Sequence, residues 1–275
     1  MHSFVLHDTE PGELKPYVDG AFWRFLHTWG CVRDLHGRAL ELGANPYFTT
    51  FLLQRFTALD LSLANFFAGR TTDVAEEWLR WTDRDGDEHA QPQTSDLFNV
   101  EQETFPYPDS TYDIVLFCEI IEHLLMDPMC ALREIHRVLR PGGRVVVTTP
   151  NVARLENVLR LVGGVNIYDP YTANTPYGRH NREYTMDELI QLLSFAGFEI
   201  EHQFTADAHA RIEPLDARPE YADVAPALEF RHAYLGEYLF VVARSTRTPR
   251  PGRPSFLYRG YPAIAVLDDT SGPPD

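Results

Sequence analysis

The chain has 275 residues, of which 44% are hydrophobic and 23% charged, proportions that suit a globular protein with a sizeable core. Its formal net charge of −16 argues against a broad phosphate-binding surface, so a nucleic acid is not the expected partner. No apolar run reaches the ~20 residues a membrane span needs, "MHSFVLHDTEPGE" lacks the basic-then-apolar order of a secretion signal, and Cys31, Cys118 and Cys130 form no CxxC pair; a reducing cytoplasmic setting without membrane contact is expected.

Residues 13–29 place Tyr17, Ala21 and Phe25 at near-helical spacing and predict a leading helix within a helical cap over 1–34. "RALELGA" (38–44) reads as a short strand running into glycine, "TTFLLQRF" as a helix, and "TALDLS" (57–62) as a second strand ending at Asp60. The acidic stretch 72–96 reads as a short helix around "AEEWLRW" followed by a polar loop, with "DLFNV" (96–100) a third strand. "TYDIVLFC" (111–118) is continuously apolar, as a strand covered on both faces is.

"DPMCALREIHRVLRPGG" predicts a helix with Asp127 at its N-cap, Pro128 at its first position and Gly142 beyond its end. "RVVVTTP" (144–150) is a fifth strand, and "ARLENVLRLVGG" a helix with Leu155, Val158, Leu159 and Val162 on one face. "TMDELIQLLSFAG" opens with Thr185 and Glu188 at capping-box spacing. "FEIEHQF" and "EYLFVVAR" suit an antiparallel pair at a sheet edge. Strands alternating with helices imply an α/β, doubly wound, mostly parallel sheet over residues 1–245. The Arg- and Pro-rich tail, 246–275, is expected to be disordered, with "AIAV" the stretch able to add a strand to a second copy in a homodimer.

"CEIIEHLL" (118–125) raises the chemical question. Glu119, Glu122 and His123 share one face if the segment is helical. They are a solvated face, an acid/base pair or metal ligands. His136, one turn after Leu132, reads as a core histidine, and His202, within a strand, as structural.

Four segments in order, "ALELGANP", "TALDLS", "FPYPDSTYDIVLFCEIIEHL" and "VLRPGGRVVVTTPN", resemble class I S-adenosylmethionine-dependent methyltransferases over about residues 35–245. The resemblance implies a Rossmann-like seven-stranded sheet with an antiparallel edge strand, and cofactor binding beyond the carboxyl ends of its strands. Glu41, Gly43, Ala44 and Asn45 would turn around the methionine half. Gly43 supplies a position without Cβ, Asn45 one that tolerates positive φ. Asn45 and Tyr47 stand where the family has its second and third glycines, and Tyr47 narrows the pocket. Asp60 would accept both ribose hydroxyls, Asn99, Val100 and Glu101 would contact adenine, and Cys118 would lie below the transferable methyl.

Within that resemblance, Glu119, Glu122 and His123 look like the metal site of small-RNA 2′-O-methyltransferases and ubiquinone-pathway O-methyltransferases. The "HNREYT" segment (180–185) supplies His180 as the further histidine seen in the RNA group, with Glu183 orienting it. Two carboxylates and two imidazoles suit a six-coordinate Mg²⁺ or Mn²⁺ with room for substrate oxygens. The competing expectations are a metal-free phenol or natural-product methyltransferase with His123 as general base, and a cofactor-binding subunit without turnover.

The insertion 151–184 is expected to form the acceptor wall. It holds Asn151, Arg154, Asn166, Asp169, Asn174 and, as candidate substrate contacts, Tyr168, Tyr171, Tyr177 and Arg179. Rings that stack on sugar faces and amides that take hydroxyls suit a small-molecule or oligosaccharide acceptor. In texture the chain resembles glycan-modifying O-methyltransferases of actinobacteria, among them one acting on methylmannose polysaccharide precursors. Arg154, Arg160, Arg179 and Arg182 would form a local basic strip.

Overall fold

The computed structural model describes residues 5–6, 9–10, 12–173, 175–209, 218–260 and 266–267. Eight strands form one sheet: β1 (His36–Leu42), β2 (Ala58–Asn65), β3 (Val74–Thr82), β4 (Glu88–Leu97), β5 (Tyr112–Cys118), β6 (Leu139–Pro150), β7 (Phe198–Ala206) and β8 (Tyr238–Ser245). Their order is β3-β4-β2-β1-β5-β6-β8-β7. The run β4-β2-β1-β5-β6 is parallel. β8 lies antiparallel between β6 and β7. The seven expected strands are joined by an eighth, β3, antiparallel on the far edge, and the third of them, expected over 96–100, instead runs through the expected polar loop as Glu88–Leu97.

β5 shows why the sheet is wound on both faces. Val115 and Phe117 point into the larger core, with α3 (Pro128–Val138) and α5 (Met186–Phe195). Ile114 and Leu116 point the other way, toward α1 (Lys15–Val32) and α2 (Phe48–Phe56). Side chains alternate along a strand, so a strand covered on both sides must be apolar throughout. The leading helix, the Asp127 cap on α3 and the Thr185/Glu188 capping box on α5 all form as expected.

Three expectations change. "AEEWLRW" lies in β3, not in a helix, and pairs with β4 from Val74↔Asp96 to Thr82↔Glu88. Leu79 is buried between exposed Trp78 and Arg80, a period of two. The partner strand decides, because Trp78, Leu79 and Trp81 fit either period locally. In α4 (Leu155–Val162) Leu159 and Asn157 are buried while Val162 is exposed, so the covered face is rotated from the expected one.

The tail is the third. Residues 246–260 pack on α3 and α5: Arg250 N–H donates to Phe195 O, Arg253 Nε to Asp127 Oδ2 at 2.7 Å, and Tyr258 Oη to Asp127 Oδ1 at 2.5 Å. Of "AIAV", only Val266 is described; with Leu267 it pairs with Arg253 and Pro254 of the same chain. Asn174 also lies outside the described residues. Among the described residues no helix is long and apolar enough to cross a membrane.

Candidate functional site

The parallel strands end together on one side of the sheet, and two adjoining cavities open there. The larger, about 340 Å³, is lined by Gly43, Asn65, Phe66, Asn99, Glu119, His123 and Tyr177, among others. A smaller one, about 100 Å³, lies toward α1 and takes in Arg24, Glu41, Ala44, Cys118, Glu119 and Thr148. Gly43, Asn45 and Glu119 border both. The crevice beyond the carboxyl ends of a doubly wound sheet is where its ligands bind.

Gly43 forms the turn after β1. Its φ is +67° and its N–H donates to Ala64 O at 2.8 Å. A Cβ there would sit 3.0 Å from Ile120 Cδ1, so both the turn and the close approach favour glycine. Tyr47, not Asn45, takes the next left-handed conformation, at φ +67°. Its ring is fully buried and its hydroxyl donates to Glu77 Oε2, so it packs under the loop and does not narrow the larger cavity.

Asp60 does not reach the site. β2 runs on to Asn65, and Asp60 is an exposed residue in register with Arg38. Five residues of strand put it about 16 Å from the carboxyl end. The strand end carries Asn65, whose amide donates to Tyr47 Oη and Ser95 Oγ and whose carbonyl accepts from Asn45 N–H. "TALDLS" held no sign that the strand continues through "LAN"; the apolar run Leu63-Ala64 was the available signal.

Asn99 and Val100 line the larger cavity. Glu101 does not. Its carboxylate accepts the N–H groups of Leu125, Met126 and Asp127 and caps that loop. Glu41 is buried beside the smaller cavity and accepts from Thr50 Oγ1 at 2.7 Å; burial pushes its pKa up to about 8. Cys118 lines the same cavity, its thiol pushed up by burial.

Glu119 ends β5 with φ +55°, a left-handed conformation that swings the chain into a short turn, Ile121–His123. Its carboxylate accepts from Arg24 Nη1 and from Thr148 Oγ1, both at 2.8 Å. The expected metal ligand therefore has other partners. Arg24 was not anticipated, although its place between the buried Ala21 and Thr28 on α1 puts it on the inner face.

The other three candidates converge. One ligand atom each from Glu122, His123 and His180 lie within 4.8 Å of one another. Glu122 is fully buried; Oε2 accepts from Thr149 Oγ1 at 2.9 Å, and Oε1 has no hydrogen-bond partner. Burial and the nearby Glu119 charge push its pKa well above the usual carboxylate range. His123 Nδ1 lies 2.9 Å from Arg179 O; a carbonyl only accepts, so Nδ1 carries hydrogen and Nε2 keeps its lone pair. Burial and the neighbouring His180 lower its pKa.

His180 Nδ1 bonds Glu183 Oε1 at 3.0 Å, and Arg154 Nη1 holds the other carboxylate oxygen. Burial opposes the charged imidazole, but Glu183 and Asp169 outweigh it and His180's pKa is raised. An unpartnered buried carboxylate oxygen clustered with two imidazoles, each bonded through Nδ1 to an oxygen acceptor, fits a divalent cation.

The insertion divides. Tyr177 lines the larger cavity. Tyr168 and Tyr171 are 83% and 93% exposed, and the Arg179 guanidinium lies 5.0 Å above the Tyr171 ring. Two of the four arginines in the basic strip are neutralised: Arg154 pairs with Glu183 and Arg182 with Glu188. Asn151 is buried and holds the backbone at Tyr234 and Gly236. His136 bonds Arg247 O and packs on Phe198; it is half-buried at the edge of the core, not within it as expected.

A methyltransferase-domain family profile matches residues 33–203. A probable S-adenosylmethionine-dependent methyltransferase of Mycolicibacterium smegmatis is 36% identical over 113 residues, 41% of this chain and 38% of that protein. An uncharacterized methyltransferase of Mycobacterium bovis is 31% identical over 57% of this chain and 67% of its own length. A ubiquinone biosynthesis O-methyltransferase of Ruegeria pomeroyi is 33% identical over 32% of this chain and 34% of its own. The chain thus spans little more than a third of the M. smegmatis and R. pomeroyi relatives.

Among solved structures, a chain from the complex of the Haloferax volcanii Trm112 methyltransferase activator with a methyltransferase superposes with TM-score 0.53 at 15% identity, covering 86% of this chain and 95% of that one. A methyltransferase of Thermotoga maritima superposes at 0.50 and 14%, covering 85% and 95%. At such identities the likeness is one of fold. With the profile spanning most of the Rossmann-like sheet, the chain belongs to the S-adenosylmethionine-dependent methyltransferases of the methyltransferase-domain family.

Proposed function

We propose that the protein transfers the S-adenosylmethionine methyl group to a hydroxyl oxygen of a sugar or oligosaccharide, with a divalent cation, Mg²⁺ or Mn²⁺, held by Glu122, His123 and His180. The observation that carries this reading is the unpartnered, buried Glu122 Oε1 within the Glu122–His123–His180 cluster. His123 belongs both to that cluster and to the wall of the larger cavity, so the acceptor oxygen and the cofactor sulfonium would meet there.

Methyl transfer is an in-line displacement, and the sulfonium is already a good leaving group. What remains is to align the oxygen and remove its proton. When bound, the cation would lower the hydroxyl's pKa and fix its position. Glu183 holds His180 in the tautomer that presents Nε2, and Arg179 O does the same for His123. Glu119 lies outside the ligand set and keeps Arg24 and Thr148 in place beside the smaller cavity. Support for oxygen as the acceptor comes from the similarity to the ubiquinone O-methyltransferase. The exposed Tyr168 and Tyr171 rings support a sugar.

Turnover on a glycan-hydroxyl panel should vanish with EDTA and return with Mn²⁺ or Mg²⁺. Full rate in chelator would eliminate the cation and leave His123 as the base.

A further inference from the structure

The cofactor-side cavity and the cation cluster share one short piece of chain, residues 176–182. Its single turn, Pro176–Gly178, carries Tyr177. The Tyr177 hydroxyl accepts from Asn99 Nδ2 at 3.1 Å and from Gln102 Nε2 at 3.3 Å, and donates to Glu101 Oε2 at 3.3 Å. Its ring meets Phe66 edge-on at 5.4 Å, and both rings are walls of the larger cavity.

Three residues later comes His180, and the following residue stitches the segment to the remaining ligands. Asn181 N–H donates to Glu122 O at 2.7 Å, and Asn181 Nδ2 to His123 O at 2.9 Å and Pro176 O at 3.0 Å. His123 Nδ1 returns a bond to Arg179 O. Tyr177 is therefore connected to the three ligand-bearing residues along residues 177–181 and through the bonds of Arg179 and Asn181.

We infer that Tyr177 is a positioning residue that couples the two ligands: cofactor in the larger cavity holds residues 176–182 in place and so preassembles the cation cluster. The inference rests on the cation reading above. The Tyr177 hydroxyl is bonded to Asn99, itself a wall of the cofactor's cavity, so occupancy fixes Asn99 and restrains the segment through that hydroxyl. The segment has no strand and no α-helix to hold it, and whichever ligand binds first bears its ordering. The second then binds more tightly, and the effect is reciprocal.

Calorimetric titration of Mn²⁺ into the full chain, with and without S-adenosylhomocysteine, tests this. Mn²⁺ should bind about fivefold or more tightly to the loaded protein, the lower end of ordinary coupling. Tyr177→Phe keeps the ring and removes the three hydroxyl bonds; it should bring that ratio toward one while barely changing Mn²⁺ affinity in the unloaded protein. Equal affinities in the wild type, or an unchanged ratio in the variant, overturn the coupling and leave the cation reading intact. A variant that weakens Mn²⁺ equally in both states has a structural defect only, which also overturns it.

No Mn²⁺ binding in either state sinks the cation reading itself. A second arm uses no cation. S-adenosylhomocysteine alone should slow tryptic cleavage after Arg179 and Arg182 in the wild type and not in Tyr177→Phe. Unslowed cleavage in the wild type overturns the link between cofactor and segment whatever the cation does.

Discussion

Arg24 Nη1 lies 2.8 Å from Glu119 Oε2, joining α1 to the end of β5 across 95 positions of sequence. Both side chains are largely covered, 10% and 18% exposed, and Arg24 also donates to Tyr17 Oη and lies over the Tyr238 ring. Removing one partner of a covered pair strands the other charge. Arg24→Met should lower stability by roughly 3 kcal/mol in urea denaturation, and adding Glu119→Gln should recover most of it. A double variant no more stable than the single would show that the pair is not coupled.

The same pair separates Glu119 from the cation ligands. Glu119→Gln should leave Mn²⁺ affinity nearly unchanged, whereas Glu183→Gln, at the carboxylate that bonds His180 and Arg154, should weaken it about 10- to 100-fold as outer-sphere partners do. Mn²⁺ titration followed by electron paramagnetic resonance reads both. Loss of binding in Glu119→Gln would return that residue to the ligand set.

Glu41 should release a proton when cofactor binds. Its pKa, raised to about 8 by burial, leaves it mostly protonated at pH 7. A cofactor ammonium group placed beside it in the smaller cavity would favour the carboxylate. Calorimetry of S-adenosylhomocysteine binding in buffers of different ionisation enthalpy should report close to one proton released at pH 7, and none in Glu41→Gln. The stability sign is also set: a raised folded pKa means stability is highest below the unfolded value, about 4.3, and falls as pH rises toward 8. Glu41→Gln should flatten that slope.

Asp127 has the opposite sign. Burial alone would raise its pKa, but hydrogen bonds from Tyr258 and Arg253 outweigh it and the net shift is downward. A depressed folded pKa contributes stability that is present above the unfolded value, about 3.9, and lost as pH falls through the folded one. Truncation after residue 250 should therefore destabilise the protein at pH 7 and remove part of its acid sensitivity below about pH 4. Thermal melts of truncated and full chains over pH 2–7 check this; parallel curves would mean that the tail's contact with Asp127 is not the source.

Local information carried much of the fold. The Thr185/Glu188 box and the Asp127 cap are decided by neighbours three residues away or fewer. β5 was legible because a strand covered on both faces is apolar at every position. The β3–β4 hairpin was not, since Trp78, Leu79 and Trp81 suit a helix as well as a strand until the partner supplies a register. Asp60 was misplaced for a related reason: a short apolar run says where a strand passes and not where it stops.

By itself the sequence marked seven strands of the sheet, and its resemblance to a known family marked the glycine turn at Gly43 and the histidines and acids beyond β5. Apolar runs covered on both faces and motifs a few residues long are local enough to be read that way. Only the tertiary structure decided which acids are free. Glu119 and Glu122 are three residues apart and chemically alike, yet Arg24 arrives from α1 to neutralise one while burial leaves an oxygen of the other without a partner. That difference arises from residues far apart in the chain, so no local pattern encodes it.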